Sequence, residues 1–133
     1  MPQDRLPGIP PQYQTVMPYL IIKDAARFIT FMQTVFAAEE TYKVLRDEQS
    51  GIIMHAEIMT GGSTIMLADA TDQYPVRTAG LFIYVADADA TYAAALAAGA
   101  QSIMPPADMP YGRSCGITDA WGNSWWPTTP PKP

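Results

Sequence analysis

Apolar residues recur at two different spacings along the chain, and the order of those spacings repeats. Residues 15–23 are an apolar run of strand length with a proline inside it, which is typical of an edge strand or a bulge. Residues 25–37 place large apolar side chains three and four positions apart, which predicts an amphipathic helix, with Asp24 as its N-cap. Three strands follow, the last two joined by a Gly-Gly hairpin turn: residues 40–48, 52–59 and 64–69.

The same order returns after a polar connector at residues 70–78. Residues 81–86 are predicted to form a strand, and residues 88–98 a helix that Asp87 caps and Gly99 ends. Asp119 and Asn123 are expected to shape the turn before the last strand. The remaining strands are shorter, with a proline-rich loop between the first two: residues 101–104, 112–118 and 124–128.

The pattern therefore predicts the element order βαβββ twice, and α+β as the fold class. We assign module one to residues 15–69 and module two to residues 79–128, within one domain of residues 15–128, because 133 residues fit a single domain. Residues 1–14 are expected to be an N-terminal arm and residues 129–133 a C-terminal tail. A single α+β sheet with a coincidental order of elements is the alternative.

The composition of the chain limits the classes of binding partner and indicates the cellular compartment. The formal net charge is −5 and no basic run of four or more residues exists, which argues against nucleic-acid binding. No apolar stretch approaches the length of a membrane span and the N-terminus has no signal-peptide core, so no membrane partner is expected. Cys115 is the single cysteine, which excludes an intramolecular disulfide and fits a reducing compartment, so we expect a cytoplasmic protein.

Three stretches of the sequence carry a family resemblance: PYLIIKDAARFITFMQTVFAAEE at residues 18–40, MHAEIMTGGSTIMLAD at residues 54–69, and residues 81–126, which close on an Asp-x-x-Gly-Asn turn. Together and in this order they resemble the vicinal-oxygen-chelate superfamily of glyoxalases, bleomycin-resistance proteins and dioxygenases, especially its PhnB-like branch. The resemblance implies two sheets, each curled around an open cavity, and a homodimer. Members include lyases, isomerases, ring-cleaving dioxygenases and proteins that only sequester a drug, so the fold does not name the function.

Members of that superfamily that use a metal place His, Glu or Gln side chains at four cavity positions. Carried over one at a time, those positions fall in this sequence on Met17, Met66, Gly80 and Trp126. A thioether is soft, glycine has no side chain and an indole offers no lone pair, so none of them is a hard ligand for a divalent cation. His55 is the single histidine. We therefore expect no metal and no cofactor.

His55 and Glu57 stand two residues apart in one predicted strand, so they share a face. Met54, Ala56 and Ile58 fill the other face, which we expect to meet the helices. His55 and Glu57 then turn toward the cavity, either as a catalytic pair with a general base or as a ligand-binding pair. The alternative is a polar pair that is hydrogen-bonded and inert.

By the same alternation, aromatic and methionine side chains line the predicted cavity. They either bind a flat or apolar ligand by stacking and dispersion, or fill the cavity as core. Arg113 is expected near the cavity mouth, where it either holds an anionic group or forms a surface salt bridge. Cys115 is expected to be buried and unreactive. The candidate ligand-binding residues are Met17, Tyr19, His55, Glu57, Met66, Phe82, Tyr84, Arg113 and Trp126.

These residues favour a metal-free protein that binds a small apolar or aromatic molecule in its cavity. The alternative is an enzyme of the vicinal-oxygen-chelate type, a lyase, isomerase or dioxygenase, that uses His55 and Glu57. A third hypothesis is a structural or interaction role as a dimer.

Overall fold

The computed structural model of the protein describes residues 5–132, and within them eight β-strands and two α-helices follow the predicted order. The elements of module one are β1 (Tyr19–Ile22), α1 (Ala25–Phe36), β2 (Glu39–Leu45), β3 (Ile53–Thr60) and β4 (Ser63–Asp69). Those of module two are β5 (Gly80–Tyr84), α2 (Ala88–Ala97), β6 (Gln101–Met109), β7 (Gly112–Thr118) and β8 (Ser124–Thr129). The element order βαβββ therefore occurs twice.

Each module builds its own four-stranded mixed sheet, and the two sheets have the same topology. Sheet A has strand order β1-β4-β3-β2, and sheet B has order β5-β8-β7-β6. The first and last strands of each module pair in parallel, and the other neighbours are antiparallel. The predicted α+β fold class is confirmed, and the alternative of one α+β sheet is wrong, because the strands form two equivalent sheets.

One face of each sheet is covered by helices, and the opposite face is open. In sheet A the cross-strand row of Leu20, Leu67 and Ala56 is fully buried in the core beneath α1. We call the face that carries this row the helix face and the opposite one the open face. Because side chains alternate along a strand, Tyr19 and Met66 lie on the open face.

Aromatic rings join the two modules through their helix faces. Phe36 at the end of α1 packs on Trp125 of β8, with ring centroids 4.8 Å apart. Phe28 and Phe31 of α1 meet Trp121 edge-on, at 5.3 and 5.6 Å. Such T-shaped and tilted pairs are the favoured geometries of aromatic rings. The modules therefore share one core and leave both open faces outside it.

The two helices begin in different ways. At α2 the expected cap is present, because the Asp87 carboxylate accepts a hydrogen bond from the Ala90 N–H at 3.1 Å. At α1 Asp24 occupies the predicted N-cap position, but its backbone is left-handed with φ 56° and its side chain makes no capping hydrogen bond. Asp69 at the end of β4 accepts from the Ala25 N–H instead, at 2.7 Å. A cap that comes from a distant strand leaves no local signal in the sequence.

Strand β6 runs through the prolines for which we predicted a loop. The strand expected at residues 101–104 extends to Met109, with two register shifts against β7. Pro105 and Pro106 lack an N–H, yet they fit because β6 is an edge strand of sheet B and is irregular at this point. The predicted loop is therefore wrong, and the edge position explains why.

Residues just before β1 pack on the open face of sheet A. The Gln14 side chain forms two hydrogen bonds with the backbone of Thr64, at 2.8 and 3.1 Å, and Thr64 Oγ1 donates to the carbonyl of Gln12 at 2.6 Å. This cover leaves Thr64 buried. Residues 1–4, at the start of the expected arm, lie outside the described residues. Between residues 5 and 132, no helix is long and apolar enough to cross a membrane.

Candidate functional site

Four side chains cross the open face of sheet A in one row. The strand register places Tyr19 beside Met66, Met66 beside Glu57, and Glu57 beside Tyr42. Cross-strand partners of this kind have Cβ atoms about 4.5–5.5 Å apart. His55 precedes Glu57 by two residues and so lies on the same face. The structure thus brings together four of the predicted site residues: Tyr19, His55, Glu57 and Met66.

Tyr13, Glu57, His55 and Tyr19 form one continuous series of hydrogen bonds, which we call the Tyr–Glu–His–Tyr chain. The Tyr13 hydroxyl lies 2.6 Å from Glu57 Oε1, and His55 Nε2 lies 2.8 Å from Glu57 Oε2. The Tyr19 hydroxyl lies 2.8 Å from His55 Nδ1. Glu57 is buried, His55 is half-buried and Tyr19 is exposed. The chain therefore connects a buried carboxylate to the solvent-facing surface of the sheet.

The donors in this chain follow from the chemistry of its members. An ionised carboxylate only accepts, so the Tyr13 O–H donates to Oε1 and the His55 Nε2–H donates to Oε2 of Glu57. In a neutral imidazole the other nitrogen then accepts, so the Tyr19 O–H donates to Nδ1. In a protonated His55, Nδ1 donates to the Tyr19 oxygen instead, which frees the Tyr19 O–H. Protonation of the imidazole therefore determines whether the Tyr19 O–H is free to donate a hydrogen bond to a ligand.

The pKa of both tyrosine hydroxyls in the chain is raised above the ordinary value. The hydrogen bond to Glu57, followed by desolvation, raises the pKa of the Tyr13 hydroxyl. Burial, and then the negative charge of Glu57, raises the pKa of Tyr19. Both hydroxyls therefore exchange hydrogen bonds at neutral pH and do not act as phenolates.

A cavity of about 360 Å³, which we call the Tyr19 cavity, opens on the open face of module one. Its walls combine two aromatic rings, a thioether and a basic side chain. The volume lies near the lower end of the range for small-molecule pockets. The residues that line it are Tyr19, Ile21, Arg46, Met54, Ala68, Asp69, Thr71 and Tyr74.

Met54 reaches the Tyr19 cavity because of a bulge in β3. The alternation along the strand predicts that Met54 faces the helices, as Ala56 does. The pairing with β2 passes from His55 to Ile53 and skips Met54, which is therefore the extra residue of the bulge. A bulge re-aims a side chain in this way. Met54 is half exposed and lines the cavity, so its predicted orientation is wrong.

The open face of sheet B carries aromatic rings where sheet A carries a polar chain. Phe82 of β5 pairs with Trp126 of β8, and Phe82 occupies the position that Tyr19 has in module one. The Phe82 ring also meets Tyr84 and Tyr111, with centroids 5.2 and 6.3 Å apart. Phe82, Tyr84 and Trp126 thus lie on one face, as the alternation of side chains predicts.

Gly116 of β7 lies directly under the indole of Trp126. A Cβ added at Gly116 would stand 2.5 and 2.8 Å from the indole carbons Cζ3 and Cε3, well inside van der Waals contact. The absence of a side chain at Gly116 therefore sets the position of the Trp126 ring. This role depends on a cross-strand neighbour, so the sequence alone gave no sign of it.

Phe82 and Tyr84 line a second cavity, of about 350 Å³, between β5 and the β3–β4 hairpin. Its lining includes residues of both modules but none of Tyr19, His55 and Glu57. The predicted ligand-binding residues therefore fall into two groups, one on each sheet. Neither of these two cavities is lined by both groups.

Arg113 lies apart from both groups, because α2 holds its side chain. The guanidinium donates to both oxygens of Asp89, at 2.9 and 3.2 Å, and to Asp108 at 3.2 Å. The hydrogen bonds from Arg113 lower the pKa of Asp89, and those to Asp89 and Asp108 raise the pKa of Arg113. This arrangement matches the salt-bridge alternative for Arg113.

Nearby, burial and then the charge of Asp89 raise the pKa of Cys115 to about 11, so the buried thiol stays protonated at neutral pH.

Tyr13 is the member of the site that sequence reasoning missed. It lies in the expected N-terminal arm, in a stretch without apolar periodicity. Its hydroxyl is one of two side-chain donors to the buried Glu57 carboxylate. A buried carboxylate needs such partners, which predicts that a donor exists but does not say which one. Arg46 and Tyr74 of the Tyr19 cavity were missed too: β2 ends at Leu45, before the predicted strand end at residue 48, and Tyr74 lies in the connector.

Comparison with known proteins identifies the family. The sequence profile of the Glyoxalase/Bleomycin resistance protein/Dioxygenase superfamily matches residues 13–126. The chain belongs to this superfamily. The resemblance drawn from the three sequence stretches is therefore confirmed. One curated relative is the uncharacterized protein Mb0911c of Mycobacterium bovis, which is 31% identical over 120 residues that cover 81% of this chain and 78% of the relative.

Solved structures of similar fold agree with membership of the glyoxalase superfamily. TioX from Micromonospora sp. ML1 has a TM-score of 0.71 at 24% identity, covering 87% of this chain and 98% of TioX. A PhnB protein from Bacillus cereus has a TM-score of 0.67 at 19% identity, covering 87% and 99%. TnmS3 from Streptomyces sp. CB03234, an antibiotic binding protein, has a TM-score of 0.66 at 19% identity, covering 86% and 93%.

The metal-binding positions of the glyoxalase superfamily carry unsuitable donors in this chain. Met66 and Trp126 lie on the two open faces, Gly80 begins β5, and Met17 is half-buried just before β1. None of them offers a hard oxygen or nitrogen ligand. Within residues 5–132, no three His, Cys, Asp or Glu side chains stand close enough together to hold a metal ion. The residues present do not fit the divalent cation that metal-using members bind.

Proposed function

We propose that this glyoxalase-superfamily protein binds a small apolar or aromatic molecule on the open face of module one, without a metal. The observation that carries the proposal is the Tyr19 cavity, whose walls include two aromatic rings and a thioether and only one carboxylate, that of Asp69. Rings bind flat molecules by stacking, and methionine adapts to their shape. Superfamily members that use a metal need three or four hard ligands, and this chain has one histidine.

Exposure of the rings argues against the alternative that they only fill the core. Tyr19, Phe82 and Tyr84 are 46%, 51% and 62% exposed, whereas Trp125 on the helix face is 1% exposed. A ring that fills a core is covered on both sides, so these three are free for contact with another molecule. The antibiotic binding protein TnmS3 supports the same kind of function, as an analogy of fold.

The test is a binding titration of chelator-treated protein with a neutral planar probe, 2-naphthamide, followed by calorimetry. We expect saturable binding that Tyr19→Ala weakens about fivefold, because one stacking partner is lost. The matched control is Leu96→Ala, which removes an exposed apolar side chain from α2, away from the open faces. Binding that appears only after a divalent cation is added, or one tightly held divalent ion per chain, would contradict the proposal.

A second candidate function is acid–base catalysis, and the Tyr–Glu–His–Tyr chain favours it. The chain links an exposed hydroxyl at Tyr19 to a buried carboxylate through an imidazole, with all three distances between 2.6 and 2.8 Å. Such an arrangement can take a proton from a ligand bound at Tyr19 or return one to it. His55→Gln separates the two functions. If His55→Gln abolishes turnover of a bound compound and leaves its binding intact, the enzyme is favoured. If no bound compound is turned over, binding is the function.

We further propose that the protein works as a homodimer in the cytoplasm. Phe82 and Tyr84 of β5 and Tyr111 of the β6–β7 turn are neighbouring exposed rings, and such patches mark contact surfaces. Sedimentation equilibrium is expected to give twice the mass of one chain for the wild type and a shift toward one chain for Phe82→Asp. Leu96→Asp is the control that should keep the dimer. A wild type of single-chain mass would contradict the dimer. The cytoplasm is proposed from the single cysteine, Cys115.

A further inference from the structure

Arg46 places a guanidinium at the wall of the Tyr19 cavity, and that guanidinium has no ion-pair partner within residues 5–132. It is the basic residue among those lining the cavity. Within residues 5–132, no carboxylate oxygen lies within 4.0 Å of its guanidinium, and of the described cations without an ion pair Arg46 is the one that lines this cavity. In a chain of net charge −5, an unpaired cation at a cavity wall points to an anionic ligand group.

Two carboxylates close to Arg46, one in the same cavity wall and one next to it in sequence, accept hydrogen bonds from the backbone. Asp69, which also lines the cavity, accepts from the N–H groups of Ala25 and Ile53, both at 2.7 Å. Asp47, next to Arg46 in sequence, accepts from the N–H groups of the turn that follows it, at 2.7 and 3.1 Å. Carboxylates held by such hydrogen bonds have fixed positions and are not free to swing toward the guanidinium.

The remaining walls of the cavity fit a ring. Met54 is turned into it by the bulge in β3, and Tyr19 lines it from β1. Tyr74 is held in place by a turn, because its N–H donates to Thr71 Oγ1 at 3.0 Å and its carbonyl accepts from the Thr71 N–H at 2.9 Å. A ring between two tyrosines and a thioether gains stacking and dispersion on several sides.

The connector between the modules fixes the mouth of the cavity. Arg77 forms an isolated bridge with Ile21, in which each N–H donates to the other residue's carbonyl, at 2.8 and 3.1 Å. This bridge ties the connector to the free edge of β1, three residues after Tyr74. The cavity is therefore built by the described backbone, and a ligand does not have to order a loose loop.

From these walls and this charge we infer that the ligand of the Tyr19 cavity is an aromatic carboxylate of one or two rings, with Arg46 as the partner of the carboxylate. The inference rests on the proposed ligand-binding function and names the chemical class of the ligand. The planar guanidinium matches a carboxylate with two parallel hydrogen bonds. A cavity of about 360 Å³ suits a molecule of that size.

The experiment compares two probes that share a ring system and differ in charge, 2-naphthoate and 2-naphthamide. Calorimetric titration of the wild type is expected to give about tenfold tighter binding of 2-naphthoate. Arg46→Gln should remove this preference, which is read as the ratio of the two affinities within the same variant. Arg46→Lys, which keeps the charge but loses the bidentate hydrogen-bond geometry, should retain part of the preference for 2-naphthoate. Arg46 is exposed, so these variants are expected to fold, which circular dichroism checks.

Arg27→Gln is the matched control, because it makes the same charge change at an exposed arginine of α1 outside the cavity. It should keep the tenfold preference. If Arg27→Gln and Arg46→Gln reduce the preference equally, the effect is long-range charge and the inference is overturned. If the wild type binds both probes equally well, the inference fails and the proposed function stands. If neither probe binds, the proposed function fails as well.

Discussion

Glu57 of module one and Asp119 of module two are the acidic side chains that are buried within residues 5–132, at 5% and 4% exposure, and their partners differ in kind. Asp119 accepts four hydrogen bonds at 2.8–2.9 Å, from two backbone N–H groups, the Asn123 amide and the Trp125 indole. Glu57 accepts from the hydroxyl of Tyr13 and the imidazole of His55. Backbone, amide and indole N–H groups only donate, whereas a hydroxyl and an imidazole can reverse their role.

This difference separates a structural site from an adaptable one. The fixed donors around Asp119 hold the turn before β8 and carry Trp125 into the shared core. The reversible partners of Glu57 lie on an open face, and their hydrogen bonds continue to Tyr19, which lines the Tyr19 cavity and can exchange a hydrogen bond with a ligand there. Equal burial therefore does not mean equal function. Substitutions that replace a carboxylate by its amide should show this contrast most clearly.

The largest expected effect is that of Asp119→Asn on stability. The new amide places N–H groups against donors that cannot turn into acceptors, so we expect the free energy of unfolding to fall by about 3 kcal/mol or more. Urea unfolding followed by Trp fluorescence measures the change. A loss below about 1 kcal/mol would mean that the turn rearranges freely, and the structural role of Asp119 would then be wrong.

The second expected effect concerns Gly116 of module two, which lies directly under the Trp126 indole. Gly116→Ala places a methyl group inside the indole ring, so we expect a loss of about 2 kcal/mol and a shifted Trp126 emission. Gly80→Ala is the matched control on the open face of the same sheet, because no atom lies within 4 Å of an added Cβ there. Its stability should change by less than about 0.5 kcal/mol. Equal effects of the two substitutions would refute the packing role of Gly116.

The third prediction is that Glu57→Gln lowers the free energy of unfolding by less than about 1 kcal/mol, because the hydrogen bonds of His55 can exchange donor and acceptor. The Gln side-chain N–H donates to His55 Nε2, His55 Nδ1–H then donates to the Tyr19 oxygen, and the Gln oxygen still accepts from Tyr13. Nitrogen-15 NMR of the imidazole should therefore show the ring proton move from Nε2 to Nδ1. An unchanged tautomer together with a large loss of stability would show that Glu57 is as fixed as Asp119.

The smallest expected effect is the pH dependence that Asp89 contributes through Arg113. Arg113 lowers the pKa of Asp89 below its usual 3.8 in the folded state. The ion pair therefore adds stability above pH 4 and loses it as the pH falls through the lowered pKa. Asp89→Asn should make the unfolding midpoint less dependent on pH between pH 4 and pH 2 and leave the open faces unchanged. Identical acid profiles for the wild type and Asp89→Asn would contradict this account.

The repeated elements and the face of most strand residues could be predicted from the sequence, because both are local periodicities. The alternation placed His55 and Glu57 together, and Phe82 and Trp126 as well. The predictions failed where a distant residue decides the outcome. The side chain that accepts from the first N–H of α1 is that of Asp69 rather than that of the N-cap residue Asp24, and a bulge against β2 turns Met54 around.

The rest of the candidate site could not be predicted for the same physical reason. Tyr13 reaches Glu57 across 44 residues of chain, and Tyr74 is positioned by a turn and a bridge to β1. No periodicity marks such residues, since their roles come from tertiary contacts. The family resemblance was needed to identify the four metal-ligand positions, and only then did the sequence show that none of them carries a hard ligand: Met17, Met66, Gly80 and Trp126.

The most direct test of ligand binding on the open face of module one is an amide NMR titration of chelator-treated protein with 2-naphthamide. We predict saturable shifts at β1, β3 and the connector around Tyr74, small shifts on the helix faces, and the same result after a divalent cation is added. Shifts confined to the helix faces, or shifts that require the cation, would contradict metal-free binding at the Tyr19 cavity.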